Sequence, residues 1–177
     1  LKDEGVDVAM ANMQEKAGVD AVLVTANYVN ERHPLTKYSV ETAGTLPHNP
    51  KRKVYFSKGG YTYFEPHKEI YKNKELIPVR APEDLRDFNA IEEDVNVEKA
   101  GSMKVYPWVQ CFENEVIGSK YPRSLRTDVY GNKDAHGRLC PNNLVVRRYV
   151  LDLILDLITN YEVDGIFPDR FRFSRPE

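Results

Sequence analysis

The segment that most constrains this chain is the run from Tyr161 to Arg170, taken with the helix before it. Val145, Val146, Tyr149, Val150, Leu153, Ile154, Leu157 and Ile158 form a two-wide apolar stripe that repeats every four residues. That period marks an amphipathic helix lying on a core. Arg147, Arg148, Asp152 and Asp156 fall on the other face, and Asn142 or Asn143 supplies an N-cap. A short turn leads to an apolar run over 163–167, interrupted by Asp164-Gly165, and Asp169 follows with Arg170 directly behind it. A helix feeding a short strand with a carboxylate at its C-terminal tip is the repeating unit of a parallel α/β fold. In a (β/α)8 barrel that tip is where catalytic residues sit.

The same alternation occurs twice more. Val6, Met10, Met13 and Ala17 recur at helical spacing over 3–18, Gly18 is a stop signal, and 20–26 is an apolar run of the kind buried on both faces of a parallel sheet. A second helix is expected over 82–100, with Pro82 in its first turn, Gly101 past its end and a stripe of Leu85, Phe88, Ile91 and Val95. A second buried strand at 103–110 presents Trp108, Gln110 and Glu113 at its end. Two long connections follow strands. One spans 28–81 and carries Val54-Tyr55-Phe56, Ser57-Lys58-Gly59-Gly60 and Tyr61-Thr62-Tyr63-Phe64, which reads as a β-hairpin; the other spans 112–141. Long loops after strands and short turns after helices are the asymmetry of a barrel's catalytic face. The fold expected is therefore α/β, a partial (β/α)8 TIM barrel with parallel strands near 20–26, 103–110 and 163–168. Three strands cannot close such a barrel, which takes about 250 residues.

Composition bounds the rest. With 177 residues, 41% apolar and 29% charged, the chain matches a soluble globular domain, and a net charge of -2 argues against nucleic acid or an anionic membrane as the main partner. No apolar run is long enough to span a bilayer. Cys111 and Cys140 match no zinc spacing and neither demand nor exclude an oxidising compartment. The sequence begins at Leu1 and ends at Pro176-Glu177 just after a strand, so 1–177 reads as a single domain, the N-terminal part of a TIM-barrel catalytic domain in a longer chain. Compartment and oligomeric state are not set by these residues.

Five stretches carry a resemblance: Gly18-Val-Asp-Ala-Val-Leu-Val-Thr-Ala-Asn-Tyr28, Gly60-Tyr-Thr-Tyr-Phe-Glu-Pro66, Ala100-Gly-Ser-Met-Lys-Val-Tyr-Pro-Trp108, Leu139-Cys-Pro-Asn-Asn143 and Asn160-Tyr-Glu-Val-Asp-Gly-Ile-Phe-Pro-Asp169. Together they resemble a family of glycosyl hydrolase-like (β/α)8 barrels, distant relatives of amylase-type and fucosidase-type enzymes. The resemblance implies a sugar-acting barrel, a carbohydrate substrate and a carboxylate-based mechanism. It places the amylase-type nucleophile at Asp169. The chain departs from the pattern in having Phe167-Pro168 before that residue and Arg170-Phe171-Arg172-Phe173 after it.

Glycoside hydrolysis uses two carboxylates, about 5–5.5 Å apart for retention and about 6.5–9.5 Å apart for inversion. Asp169 is the first candidate, its competing role being a structural pair with Arg170 or Arg172. Asp164 is expected to be structural. The partner acid would normally come from a later strand beyond Glu177, and Glu113 is the one well-placed candidate inside the chain. Asn27 and Tyr28 end the first strand, where they can bond sugar hydroxyls. Trp108 can stack on a pyranose face or pack in a core, and Tyr61, Tyr63 and Phe64 can form a stacking platform or a cross-strand cluster. His136 is the best-placed histidine for a substrate contact, and Arg170 completes the substrate-binding set. His33, His48, His67 and His136 show no metal-binding spacing, and no phosphate loop or nucleophile elbow occurs, so neither metal nor cofactor is expected. The alternative to an enzyme is a non-catalytic carbohydrate-binding or structural barrel.

Overall fold

The computed structural model describes residues 5–28, 59–81, 88–98 and 103–173. Helix α1, Val6–Ala17, ends where Gly18 takes a left-handed conformation (φ 63°) and its N–H returns to the Gln14 carbonyl. Strand β1, Ala21–Tyr28, follows at once. The first long connection contributes β2, Tyr61–Thr62, and the single turn α2, Lys68–Tyr71. Next come α3, Ala90–Glu98, and β3, Lys104–Gln110. Helix α4, Glu115–Lys120, opens the second long connection. The longest helix, α5, Leu144–Asn160, then leads to β4, Phe167–Asp169.

The four strands form one sheet in the order β2-β1-β3-β4. The pairs β1–β3 and β3–β4 are parallel, and β2 lies antiparallel across the tip of β1. The three parallel strands are the three expected from the sequence, and each is preceded by a helix. One face of this sheet carries the core. Val24 and Ala26 of β1 and Val105 and Val109 of β3 are buried with Met10, Ile91, Val95, Val146, Val150, Leu153 and Leu157 from α1, α3 and α5. Each such side chain contributes about 1.5–3 kcal/mol of transfer free energy.

The opposite face departs from expectation. Residues 20–26 read as buried on both sides, yet Leu23 is 49% exposed, and Tyr106 and Trp108 are only partly covered. Strand alternation puts these residues, with Thr25, Phe167 and Asp169, on the side away from the helices. That side is open at Leu23 and Phe167 and partly covered at Tyr106 and Trp108, whereas Gln110 at the tip of β3 is buried.

One further expectation changes in the last segment. The run 163–167 is not a strand; only Phe167–Asp169 pairs with β3. Asp164 instead turns its carboxylate onto the Val105 N–H (2.8 Å) while its own N–H donates to the Val105 carbonyl (3.1 Å). A Cβ on Gly165 would crowd the Tyr106 ring, at 3.0 Å from its nearest atom. Pro168 lies within β4, which among the described residues is an edge of the sheet, so its missing N–H removes no ladder bond.

The polar face of α5 is not uniformly solvated either. Asp152 and Asp156 are buried, the latter holding the backbone N–H and Nδ1 of His67 and the side chain of Asn160, while Ile158 of the expected stripe is 54% exposed. Asn143, not Asn142, is the N-cap, its side chain accepting from the Val145 N–H. The expected helix over 82–100 is seen as α3, and its start at Pro82 and Leu85 lies outside the described residues. So does the first half of the expected hairpin, 54–58; its second half pairs with β1.

Candidate functional site

The site forms where β1, β3 and β4 end. Parallel register sets Trp108 opposite Phe167 and Gln110 opposite Asp169. The Trp108 ring meets Phe167 edge-on at 6.3 Å, and its Nε1–H donates to Asp169 Oδ2 at 3.1 Å. The other carboxylate oxygen of Asp169 accepts the Arg170 N–H at 2.6 Å, and its carbonyl accepts the Cys111 N–H at 3.0 Å. Two N–H donors and the ladder thus orient the carboxylate. Arg170 has a left-handed backbone (φ 53°), a strained conformation for a non-glycine residue. Its guanidinium donates to Glu113 Oε1 at 3.1 Å.

The expected structural alternative for Asp169, an ion pair with Arg170 or Arg172, is therefore not what the structure shows among the described residues. Asp169, Trp108, Arg170 and Glu113 come together as one chain of contacts. Glu113, which begins the second long connection, is tied to the same loop by a bridge to Arg138.

The remaining candidates are placed differently. Asn27 is buried, and both ends of its amide are engaged by one residue: Nδ2 donates to the Gln110 carbonyl and Oδ1 accepts the Gln110 N–H, each at 2.9 Å. The sequence offered it as a contact for a sugar hydroxyl; in the structure its amide joins the tips of β1 and β3. Tyr28 ends β1 opposite Tyr61, and its side chain lies outside the described residues. His136 is exposed on a turn built by Asp134, whose Oδ1 accepts the His136 and Arg138 N–H groups. Burial alone would raise the Asp134 carboxyl, but those donors and the Arg126 guanidinium outweigh it and hold the group below the usual carboxylate range. Phe64 is fully buried against Tyr161 rather than part of an open platform.

Two features of the site escaped the sequence. Cys111, directly after β3, is buried, and burial together with the nearby Asp169 carboxylate pushes its thiol up to about 12. Gln110 is 5% exposed and its side-chain oxygen has no hydrogen-bond partner. Beside the tips lies a cavity of about 560 Å³. It opens between α5 and 168–173, lined by Phe112, Val150, Ile154, Pro168 and Phe171, with Arg147 and Arg172 at its edge. Its lining includes neither Trp108 nor Asp169. Among the described residues no group of three or more His, Cys, Asp or Glu side chains is arranged to hold a metal, and no helix is long and apolar enough to cross a membrane.

Comparison with known proteins bears on the fold. No family profile matches the sequence, and no curated protein does. Two solved structures are similar. One is the α-L-fucosidase isoenzyme 2 of Paenibacillus thiaminolyticus, at a TM-score of 0.59 and 14% identity over 94% of this chain. The other is a hypothetical protein of Ruminiclostridium thermocellum, at a TM-score of 0.53 and 15% identity, again over 94% of this chain. The chain spans 20% of the fucosidase's length and 70% of the other protein's. At such identities the likeness is one of fold: an α/β arrangement with a mostly parallel four-stranded sheet, distantly similar to part of a glycosidase.

Proposed function

We propose that this chain forms part of a (β/α)8-barrel glycoside hydrolase, acting on a carbohydrate with Asp169 as the nucleophile or base. The observation that carries the reading is the Trp108 indole N–H held 3.1 Å from the Asp169 carboxylate at the tips of neighbouring parallel strands. This combination puts an oriented anion beside an aromatic face. The anion suits attack at, or charge stabilisation of, an oxocarbenium-like anomeric carbon, and the aromatic ring suits the apolar face of a pyranose. The less covered side of the sheet, with Leu23, Tyr106 and Trp108, is the side a closed barrel turns inward. The distant likeness to a fucosidase supports the same reading at the level of fold.

Arg170 orients the site from behind. Its N–H holds Asp169, and its guanidinium fixes Glu113. Service as a proton donor would require Glu113 to give up that pair, so the second carboxylate is proposed to stand on another strand tip, with Glu113 the in-chain candidate. Tyr28 and His136 remain proposed substrate contacts. Domain assignment and partners follow from the reading: 1–177 as one segment of a catalytic domain, and a sugar as ligand.

The test is a screen of the longer protein of which 1–177 is proposed to be a segment, 1–177 alone being expected inactive, against aryl glycosides of L-fucose, D-glucose, D-galactose and D-mannose, following aryl alcohol release. The reading expects turnover of at least one, abolished by blocking the Trp108–Asp169 face. Sugar binding without release of any aryl alcohol would favour the non-catalytic carbohydrate-binding barrel.

A further inference from the structure

We propose that the cavity between α5 and the segment after β4 binds an amphipathic anion, a fatty-acid-like carboxylate whose apolar chain fills the cavity while its head group lies on Arg147 and Arg172. The site is separate from the chemistry assigned to Asp169. Strand alternation turns Pro168 toward the helices and Asp169 to the other side, so the cavity and the Trp108–Asp169 face lie back to back across β4. The cavity holds about 560 Å³, inside the range of about 300–1,000 Å³ typical of small-molecule sites. Phe112, Val150, Ile154 and Phe171 make its walls almost wholly apolar, and the rings of Phe112 and Phe171 meet at 5.4 Å. Phe171 and Leu151 stay 67% and 59% exposed, so a ligand can enter.

Charge decides the kind of ligand. No lining residue is acidic, and two are arginines. Arg147 donates its Nε–H to the Pro141 carbonyl at 2.7 Å, which holds the guanidinium at the rim with its Nη donors unspent. Arg172 has no hydrogen bond or ion pair among the described residues. Arg147 also lies at the start of α5, whose first turn has no acidic residue, and there the helix dipole favours an anion. A planar carboxylate takes paired N–H bonds from such a guanidinium. A neutral apolar ligand would leave these donors to water, and an ammonium would be repelled. A second copy of the chain, related by a two-fold axis, would bring four guanidiniums together with no carboxylate in the lining between them. A carboxylate on an aliphatic chain matches both the walls and the rim.

Calorimetric titration of the longer protein with decanoate, decanol and decylammonium tests this. Decanoate should bind at one site and decanol at least about tenfold more weakly, because the guanidinium bonds are lost. Decylammonium should not bind. Arg147→Gln and Arg172→Gln should each weaken decanoate about fivefold, the scale of one partly solvated charge pair, and leave decanol unchanged. Leu151→Trp alters an exposed residue of the lining, so it should fill the cavity and abolish decanoate binding without lowering the melting temperature. Absence of decanoate binding, as when another part of the longer protein fills the cavity, overturns the proposal. Equal affinity for decanoate and either other amphiphile overturns it too, as does decanoate binding that survives Leu151→Trp. Aryl-glycoside turnover plays no part in these outcomes, so the Asp169 reading stands or falls separately.

Discussion

Replacing Asp94 by asparagine should stabilise the protein at neutral pH by an amount that shrinks on acidification. Asp94 lies on the inner side of α3, fully buried, and neither of its carboxylate oxygens has a hydrogen-bond partner. Burial, reinforced by Glu93, pushes its carboxyl from 3.8 up to about 7. Between those two values the folded chain keeps a proton that the unfolded chain has lost. Stability therefore falls as pH rises through this window and levels off above about 7. At about 1.36 kcal/mol per unit, three units amount to about 4 kcal/mol in full, of which roughly 2–3 kcal/mol develops between about pH 5 and pH 8. For a chain of this size that is about 5–10 °C in Tm. Urea unfolding followed by circular dichroism across that range, on both proteins, measures it. The unmodified protein should lose stability with rising pH relative to Asp94→Asn. Parallel pH profiles for the two would refute the claim that Asp94 is buried without a partner.

Two other perturbations have defined outcomes. Gly60 has φ 105°, and a Cβ there would run into the Asn114 carboxamide that caps α4 and donates to the Gly60 carbonyl; Gly60→Ala should cost about 3 kcal/mol or more in chemical denaturation, and a change below about 1 kcal/mol would contradict that packing. The buried Cys111 thiol, pushed up to about 12, should resist a thiol reagent at neutral pH in the folded protein, whereas the half-buried Cys140 should react; labelling that survives Cys140→Ser would contradict the burial of Cys111.

The helices were legible because their stripes have the helical period and their ends carry ordinary signals: Gly18 terminates α1, and an asparagine caps α5. The parallel order of the three main strands followed from the helix before each. The stretch 163–167 was misread because apolar composition does not distinguish a strand from a turn that packs. Asp164 and Gly165 there serve the edge of β3 and the Tyr106 ring, contacts fixed by tertiary placement alone. The buried Asp152 and Asp156 fell on the expected polar face because, beside local partners in Arg148 and Asn160, each meets a group more than seventy residues away in the chain, Lys74 and His67. Strand-tip position was enough to expect Asp169, Trp108 and Glu113 at one end of the sheet, where the structure links them through Arg170. The Arg170 backbone has a positive φ that no spacing announces. Gln110 was visible at the end of β3, but its unmet oxygen and its clamp by Asn27 exist only once β1 and β3 are paired.

The central claim is that the Asp169 carboxylate, set by the Trp108 and Arg170 N–H groups, takes part in the chemistry. Asp169→Asn tests it, since the change nearly preserves shape and removes the charge that would stabilise an oxocarbenium-like transition state. On an aryl glycoside that the unmodified protein hydrolyses, the account predicts a loss of kcat of at least about a hundredfold, about 2.7 kcal/mol of barrier, with sugar affinity and Tm nearly unchanged. Retained kcat together with a lowered Tm would contradict it and make Asp169 a structural residue at the end of β4.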